Sequence, residues 1–559
     1  MTLHSTLNAF LFLAGSALCA SGPCQAQQDR ETVAPYDLLL TGGRVMDGSG
    51  NPWFRADVAV RDGRIVAVGR LAEHPTSRTL DVSGRIVAPG FIDLHSHAGG
   101  GLGSADAERR AAPNIVSQGI TTVVVNQDGR SPASIKAQGE RFDERGIGPN
   151  ALLMVGHGTV RQRVMGSDHR RPATAAEIDA MRALVREAMA DGASGMSAGL
   201  EYVPGRWSTT EEMVALVGEL APHGVYIVHE RSSGADPMWF LPSQDPPGPP
   251  TMLDNILELV EVSERTGVVT VASHIKVKGA NFWGSSGALI QLIDTARDRG
   301  VRIYADQYPY NTSGTDGNVV LIPGWLRRRV QGGSPAETLE QALRDPSVTA
   351  DLERDMLHEI ARRGGPEQLI IMDHPDRSFI GKSLGALARD HGVPPLQMAV
   401  QLQVSGDRQR RGGARIRGYS MSEMDLEALA SQNWTATSTD GGIALPGDGS
   451  VHPRYYGAFP RKIRHYAMNR GVLTVEDAVR SCSSLPAQIL GLPDRGWIRP
   501  GNHADLVVID LEELQDVATA FEPHQHSRGV DYVMVGGQFV VEDGELTGAL
   551  PGKLIHLER

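Results

Sequence analysis

Cysteine is scarce in this chain, and its placement makes it scarcer. Only three cysteines occur in 559 residues, and two of them, Cys19 and Cys24, fall in the N-terminal stretch. Beyond it stands Cys482 alone, so no intramolecular disulfide can form even in an oxidising compartment. Cys482, in RSCSSLP, reads as a small buried apolar residue rather than a nucleophile. The first 26 residues contain no Lys, Arg, Asp or Glu. Within them LNAFLFLAGSALCA is too short to span a bilayer comfortably and reads as a secretory signal, with cleavage after Ala26. Neither Cys19 nor Cys24 follows a lipobox, and no later run is apolar enough for a membrane. The chain also has no block of five like charges, and its formal net charge is -12. These absences argue against nucleic acid and anionic membrane as partners. A periplasmic or secreted protein is expected, and nothing in the sequence specifies an oligomeric state.

What is present is the composition of a folded protein, 41% hydrophobic and 21% charged. From residue 36 to 88, short β-rich runs alternate with glycine turns, as in YDLLLTGGRVMDGSG and ADVAVRDGRIVAVG. This predicts a small antiparallel sheet. The same texture returns in ADLVVIDL and VDYVMVGGQFVVEDGEL, so residues 36–88 and 491–559 are expected to form one composite β-sandwich. Between them, over 89–490, apolar strands alternate with amphipathic helices, the pattern of parallel βαβ units. Eight strands can be read: VAPGFIDL, ITTVVVN, ALLMVGHG, ASGMSAGL, VYIVHE, VVTVASHIK, RIYADQYPY and TATSTD. Eight such units predict an α/β fold with a TIM-type (β/α)8 barrel. Strands seven and eight are too far apart for a simple loop, which places an insertion at about 312–430. Its basic clusters, RRRV, ARRGGP and RQRRGGARIRG, read as solvated surface.

Chemistry in such barrels sits at the C-terminal strand ends. Strand one ends in GFIDLHSH, where His95 and His97 alternate onto one face. A lone His-X-His is weak evidence for a metal, since a hydrogen-bonded pair in a polar cleft accounts for it more readily. The other strand ends change its weight. Asp128 ends strand two, His229 strand five, His274 strand six and Asp440 strand eight. These six residues are a donor set for one or two divalent ions, with zinc or another divalent metal suited to imidazole and carboxylate. Such an ion lowers the pKa of water from about 15.7 to about 7. Asp440 is then placed to take the water's remaining proton and deliver it to a leaving nitrogen. His157 ends strand three and is left out of the ligand set.

The motifs PGFIDLHSH, QGITTVVVN, ASGMSAGLEYVPG, VHER, SHIKVKG, ADQYPY, STDG, VHPRYYGAFPR and IRPGNHADLVVID occur in this order. Together they resemble the D-aminoacylase (N-acyl-D-amino-acid deacylase) family of the amidohydrolase superfamily, over nearly the whole chain after the leader. The resemblance implies that His95 and His97 hold one metal position and His229 and His274 the other, with Asp440 as catalytic acid/base. It also implies that Lys276, Tyr308 and Arg454 bind the carboxylate of a small-molecule substrate, joined by a hydroxyl near Ser313 or Thr315. Guanidinium, ammonium and phenol are suitable donors to a carboxylate. Many members carry cysteine where Asp128 stands here, and AGGGLG replaces the acidic residues that often follow His-X-His. The expected activity is hydrolysis of the amide of N-acyl-D-amino acids. The alternatives are a D-residue dipeptidase, a cyclic-amide hydrolase of the hydantoinase or dihydroorotase kind, and a secreted metal- or ligand-binding protein. The cyclic-amide relatives bridge their metals with a carboxylated lysine, and strands two to four here contain none.

Overall fold

The computed structural model describes residues 34–71, 73–314 and 318–557. The leader expected at 1–26 and Thr315 lie outside these residues. Eight strands form one sheet in chain order: β1 (Phe91–Asp93), β2 (Ile120–Val125), β3 (Asn150–Gly156), β4 (Gly195–Gly199), β5 (Val225–His229), β6 (Val269–Ala272), β7 (Ile303–Gln307) and β8 (Thr435–Thr437). Each paired neighbour is parallel. Beyond the ends of β8 and β1 the ring is closed by backbone from the motif residues themselves. His97 N donates to Gly441 O at 2.8 Å, and Asp440 N donates to His95 O at 2.9 Å.

The twofold period of the strands sorts their side chains. Ile92, Val124, Leu152, Met154, Ile227, Val271 and Ala436 form one cluster with the helix Ser484–Leu490 and Ile555, filling the barrel interior. The alternate residues, among them Val123, Val125, Leu153, Met196, Val228 and Ala305, pack under the surrounding helices. Both faces are covered, which is why every residue of β2 is buried, Thr121 and Thr122 included. The helices have local start signals. Thr174 and Glu177 form a capping box before Ala175–Ala190, and Thr251 and Asp254 do the same before Met252–Thr266, which Gly267 ends with φ 70°. The helix Ser286–Asp298 buries Leu289, Ile293 and Ala296, as its period requires.

The expected first strand is in fact two. Ile86–Pro89 pairs antiparallel with Leu506–Ile509 in the sandwich, and Phe91–Asp93 enters the barrel. The break falls at Gly90, where a Cβ would lie 2.3 Å from the Thr121 hydroxyl, so only glycine lets the chain pass that close to β2. The sandwich has a four-stranded and a seven-stranded sheet, and the second joins strands from both chain ends. Leu40, Val58, Ile65, Val87, Leu506 and Met534 share its core. The first sheet is not purely antiparallel as expected: Leu38–Thr41 pairs parallel with Thr79–Asp81. An intervening hairpin carries the chain between these two strands, and that crossover makes them parallel. The final residues return to the barrel, where Ile555 N donates to Ala151 O at 2.9 Å.

Between β7 and β8 lie several helices and the antiparallel pair Leu369–Asp373 and Arg415–Gly418, around a core of their own. The reading of this region's basic clusters as solvated surface is corrected for two arginines. Arg362 and Arg417 are buried. Arg362 is paired with Glu359 and donates to Pro237 O at 2.8 Å. Composition alone cannot show this, because arginine enters a core once its charge finds a partner there.

Candidate metal centre and active site

The six expected ligand residues converge on one end of the barrel, and Asp128 is at their centre. Its Oδ1 lies 3.5 Å from His95 Nε2, 3.5 Å from His229 Nδ1 and 3.8 Å from His274 Nε2. Its Oδ2 lies 3.5 Å from His97 Nε2. Asp440 Oδ1 stands 3.1 Å from His97 Nε2 and 3.6 Å from His95 Nε2. Two overlapping donor groups result, His95–Asp128–His274 and His95–His97–Asp440. His95 belongs to both groups, because it faces both carboxylates.

Backbone geometry aims these groups. Asp128, His274 and Asp440 have φ of 58°, 39° and 46°, a region that side chains with a Cβ seldom adopt and that clusters at functional sites. At each position the left-handed turn ends the strand and swings the side chain over the barrel mouth. His229 needs no such turn. It continues the inward series Val225 and Ile227.

The imidazole tautomers are set from behind. Ser273 Oγ donates to Asp306 Oδ2 at 2.7 Å, so its lone pair is left to accept from His95 Nδ1. His95 is therefore protonated at Nδ1, and its Nε2 lone pair faces Asp128 and Asp440. Glu201 Oε2 accepts from His229 Nε2 at 2.9 Å, which turns His229 Nδ1 towards Asp128. His95 Nε2, His229 Nδ1 and Asp128 Oδ1 are all buried without a hydrogen-bond partner. Lone pairs facing a carboxylate repel unless a positive charge lies between them, so this donor set fits a divalent cation. Burial acts to lower the basicity of His229, yet the carboxylates of Asp128 and Glu201 hold it up at about 9, so a cation bound here would take the place of a proton at Nδ1. Burial likewise opposes ionisation of Asp128, but His229 and His274 keep it well below the usual carboxylate range.

The residues expected to bind substrate line the same cavity, which measures about 200 Å³ and also admits Ser313. Arg454 stacks 4.5 Å from the Tyr308 ring centroid, and the Lys276 ammonium lies 5.7 Å from it. Arg454 Nη1 is also 2.9 Å from Asp440 Oδ2. Lys276 Nζ is 2.7 Å from His274 Nδ1. Both cations thus touch the candidate ligand set as well as the cavity. His157 is not part of it: Nε2 meets Glu212 Oε1 at 2.9 Å inside the protein. Cys482 is fully buried, and burial pushes its thiol up to about 11, which fits an inert core residue.

The strand-end argument missed Glu201, Ser273, Asp306 and Lys278. Glu201 follows β4 directly, so the rule that found the ligands applied to it too. Ser273 and Asp306 carry no comparable signal, because serine and aspartate near strand ends are common turn residues. The role of Glu201 is open to test: Glu201→Gln should weaken zinc affinity by about 10- to 100-fold, the usual cost of removing a partner behind a ligand. Competition with a chromophoric chelator measures this, and unchanged affinity would remove Glu201 from the account.

Comparison with known proteins places these features in a family. The amidohydrolase family model matches residues 78–240 and 361–541. D-aminoacylase of Alcaligenes xylosoxydans xylosoxydans is 32% identical over 93% of this chain and 98% of its own length. Among solved structures, a D-aminoacylase described as defining a novel subset of amidohydrolases aligns with TM-score 0.72 and 30% identity over 94% of this chain and 100% of that chain. The N-acyl-D-glutamate deacylase of Bordetella bronchiseptica, solved with zinc and a phosphonate inhibitor, aligns with TM-score 0.71 and 29% identity over 94% and 100% of the two chains. From its barrel, its strand-end ligands and these full-length matches, the chain belongs to the amidohydrolase family, in the branch that holds D-aminoacylase.

Proposed function

We propose that this protein hydrolyses the amide bond of N-acyl-D-amino acids, releasing the carboxylic acid and the free D-amino acid, with zinc as its divalent ion. The observation that carries the reading is one cavity with two halves: four histidines around Asp128, and Lys276, Tyr308 and Arg454 facing them. The D-aminoacylase solved with a binuclear metal centre supports a metal here. When bound, a divalent cation supplies Lewis acidity, polarising the scissile carbonyl and acidifying the attacking water.

The chain's residues supply the rest. Asp440 accepts a proton from the water as its oxygen bonds to the carbonyl carbon. It returns that proton to the nitrogen as the C–N bond breaks, which a poor amine leaving group requires. Burial opposes ionisation of Asp440, but Arg454 and the surrounding histidines keep it ionised, far below the usual carboxylate range. A substrate carboxylate that engages Arg454 draws off part of that stabilisation, so Asp440 becomes a stronger base as substrate arrives. Tyr308 is held neutral by burial, and stays a hydroxyl donor.

Matched N-acetyl-D and N-acetyl-L amino acids test the proposal. The zinc-loaded protein should hydrolyse the D series, chelation should abolish turnover, and zinc should restore it. A zinc level 100-fold above the dissociation constant should also add about 2.7 kcal/mol of stability. Equal rates on both enantiomers would sink the D-specific part, and full activity after chelation would sink the metal. Residues 1–26, which hold the apolar run LNAFLFLAGSALCA and no Lys, Arg, Asp or Glu, support export to the periplasm or medium, which N-terminal sequencing of fractionated protein checks.

A further inference from the structure

After the turn at His274 that ends β6, the alternate residues of the chain part company. Ile275 and Val277 enter the hydrophobic core, while His274, Lys276 and Lys278 line the site cavity. One face therefore carries a metal-ligating histidine and then two cations in succession. Lys276 is accounted for, being 2.7 Å from His274 Nδ1 and beside Tyr308. Lys278 is not.

Lys278 is 8% exposed, and its position is held from both sides. Its backbone bridges Gly234 after β5 and Met421 of the insertion. Yet among the described residues no carboxylate forms an ion pair with its ammonium. Glu201 and Glu359 act on it only from a distance, being committed to His229 and to Arg362 and Arg363. Arg363, which borders the same cavity, adds positive charge. A buried ammonium without a counter-ion is costly, and an anion entering the cavity removes that cost.

We propose that Lys278 binds a second carboxylate on the substrate, so that the preferred substrates are N-acyl derivatives of D-aspartate or D-glutamate. This rests on the deacylase reading, in which Lys276, Tyr308 and Arg454 take the α-carboxylate. That assignment leaves Lys278 as the cation without a partner, and the side chain of an acidic amino acid supplies one. Burial, together with Arg363 and Arg362, lowers Lys278 to about 7. The incoming carboxylate therefore restores a full charge as well as a hydrogen bond. A neutral isostere such as glutamine leaves the ammonium unpaired, which is how a polar pocket rejects the wrong side chain.

The test compares kcat/KM of the zinc-loaded protein for N-acetyl-D-glutamate, N-acetyl-D-aspartate, N-acetyl-D-glutamine, N-acetyl-D-leucine and N-succinyl-D-leucine. At least one acidic substrate should exceed the glutamine derivative by about 100-fold. Lys278→Met should reduce that ratio by at least about 10-fold, and Lys278→Arg should recover part of it. Equal rates for the glutamate and glutamine derivatives, or a Lys278 effect confined to the succinyl compound, overturns the proposal. Calorimetry with D-glutamate and D-glutamine provides an arm independent of turnover. If no N-acyl-D-amino acid is hydrolysed, the deacylase reading falls. Calorimetry still judges the pocket: a Lys278-dependent preference for D-glutamate supports it, and equal binding overturns it.

Discussion

Asp440→Asn should lower kcat by about 10²- to 10⁴-fold, the range in which a positioned general acid/base contributes, while the protein still folds and still binds metal. Asparagine keeps the volume and one oxygen near His97 and Arg454, but it neither accepts the water's proton nor returns one to the leaving nitrogen. The pre-existing contacts explain why folding should survive. Asp440 N donates to His95 O and Thr439 is fixed by Asp93, which accepts from its amide at 3.0 Å, so the turn is held by backbone and neighbours. Single-turnover kinetics with metal content measured in parallel separates the two effects. Wild-type turnover in the metal-loaded variant would exclude Asp440 as the proton carrier.

The second large effect is expected at Asp128. Removing it by Asp128→Ala takes away the only carboxylate within 4.0 Å of all four histidines among the described residues. Metal affinity should fall by more than the roughly 100-fold that loss of an outer partner costs, and hydrolysis should fall with it. Asp128→Cys is the informative companion. A thiolate is softer than a carboxylate, so this variant should retain an ion and shift its preference from manganese towards zinc. Metal analysis after equilibration with equal concentrations of both ions reads this directly. An unchanged zinc-to-manganese ratio, or alanine binding as tightly as aspartate, would mean that the histidines alone hold the metal.

Much of the site was legible because strand ends are a local feature. An apolar run of defined length followed by His, Asp or His-X-His marks both a strand and what stands at its mouth, and all six ligand candidates arose that way. Lys276, Tyr308 and Arg454 came instead from the resemblance, and the structure places them in the same cavity. The reading failed where the deciding partner is distant. Gly90 breaks the first predicted strand because of Thr121 on the neighbouring strand, and no windowed pattern contains that contact. Arg362 and Arg417 were assigned to the surface by composition, but their burial depends on the insertion's own packing.

Periodicity, strand length and residue type within a short window suffice for the barrel, the composite sandwich and the residues able to bind a metal. The tertiary structure decided how those donors act. It set Asp128 among four histidines, turned His95 Nε2 and His229 Nδ1 inward through Ser273 and Glu201, and left Lys278 in the cavity with no carboxylate paired to it among the described residues. Ser273 is 178 residues from His95 in the chain, and Asp440 is 343 from His97. Hydrogen-bond direction and charge pairing depend on the distance and alignment of such groups. Those distances exist only once the barrel has closed.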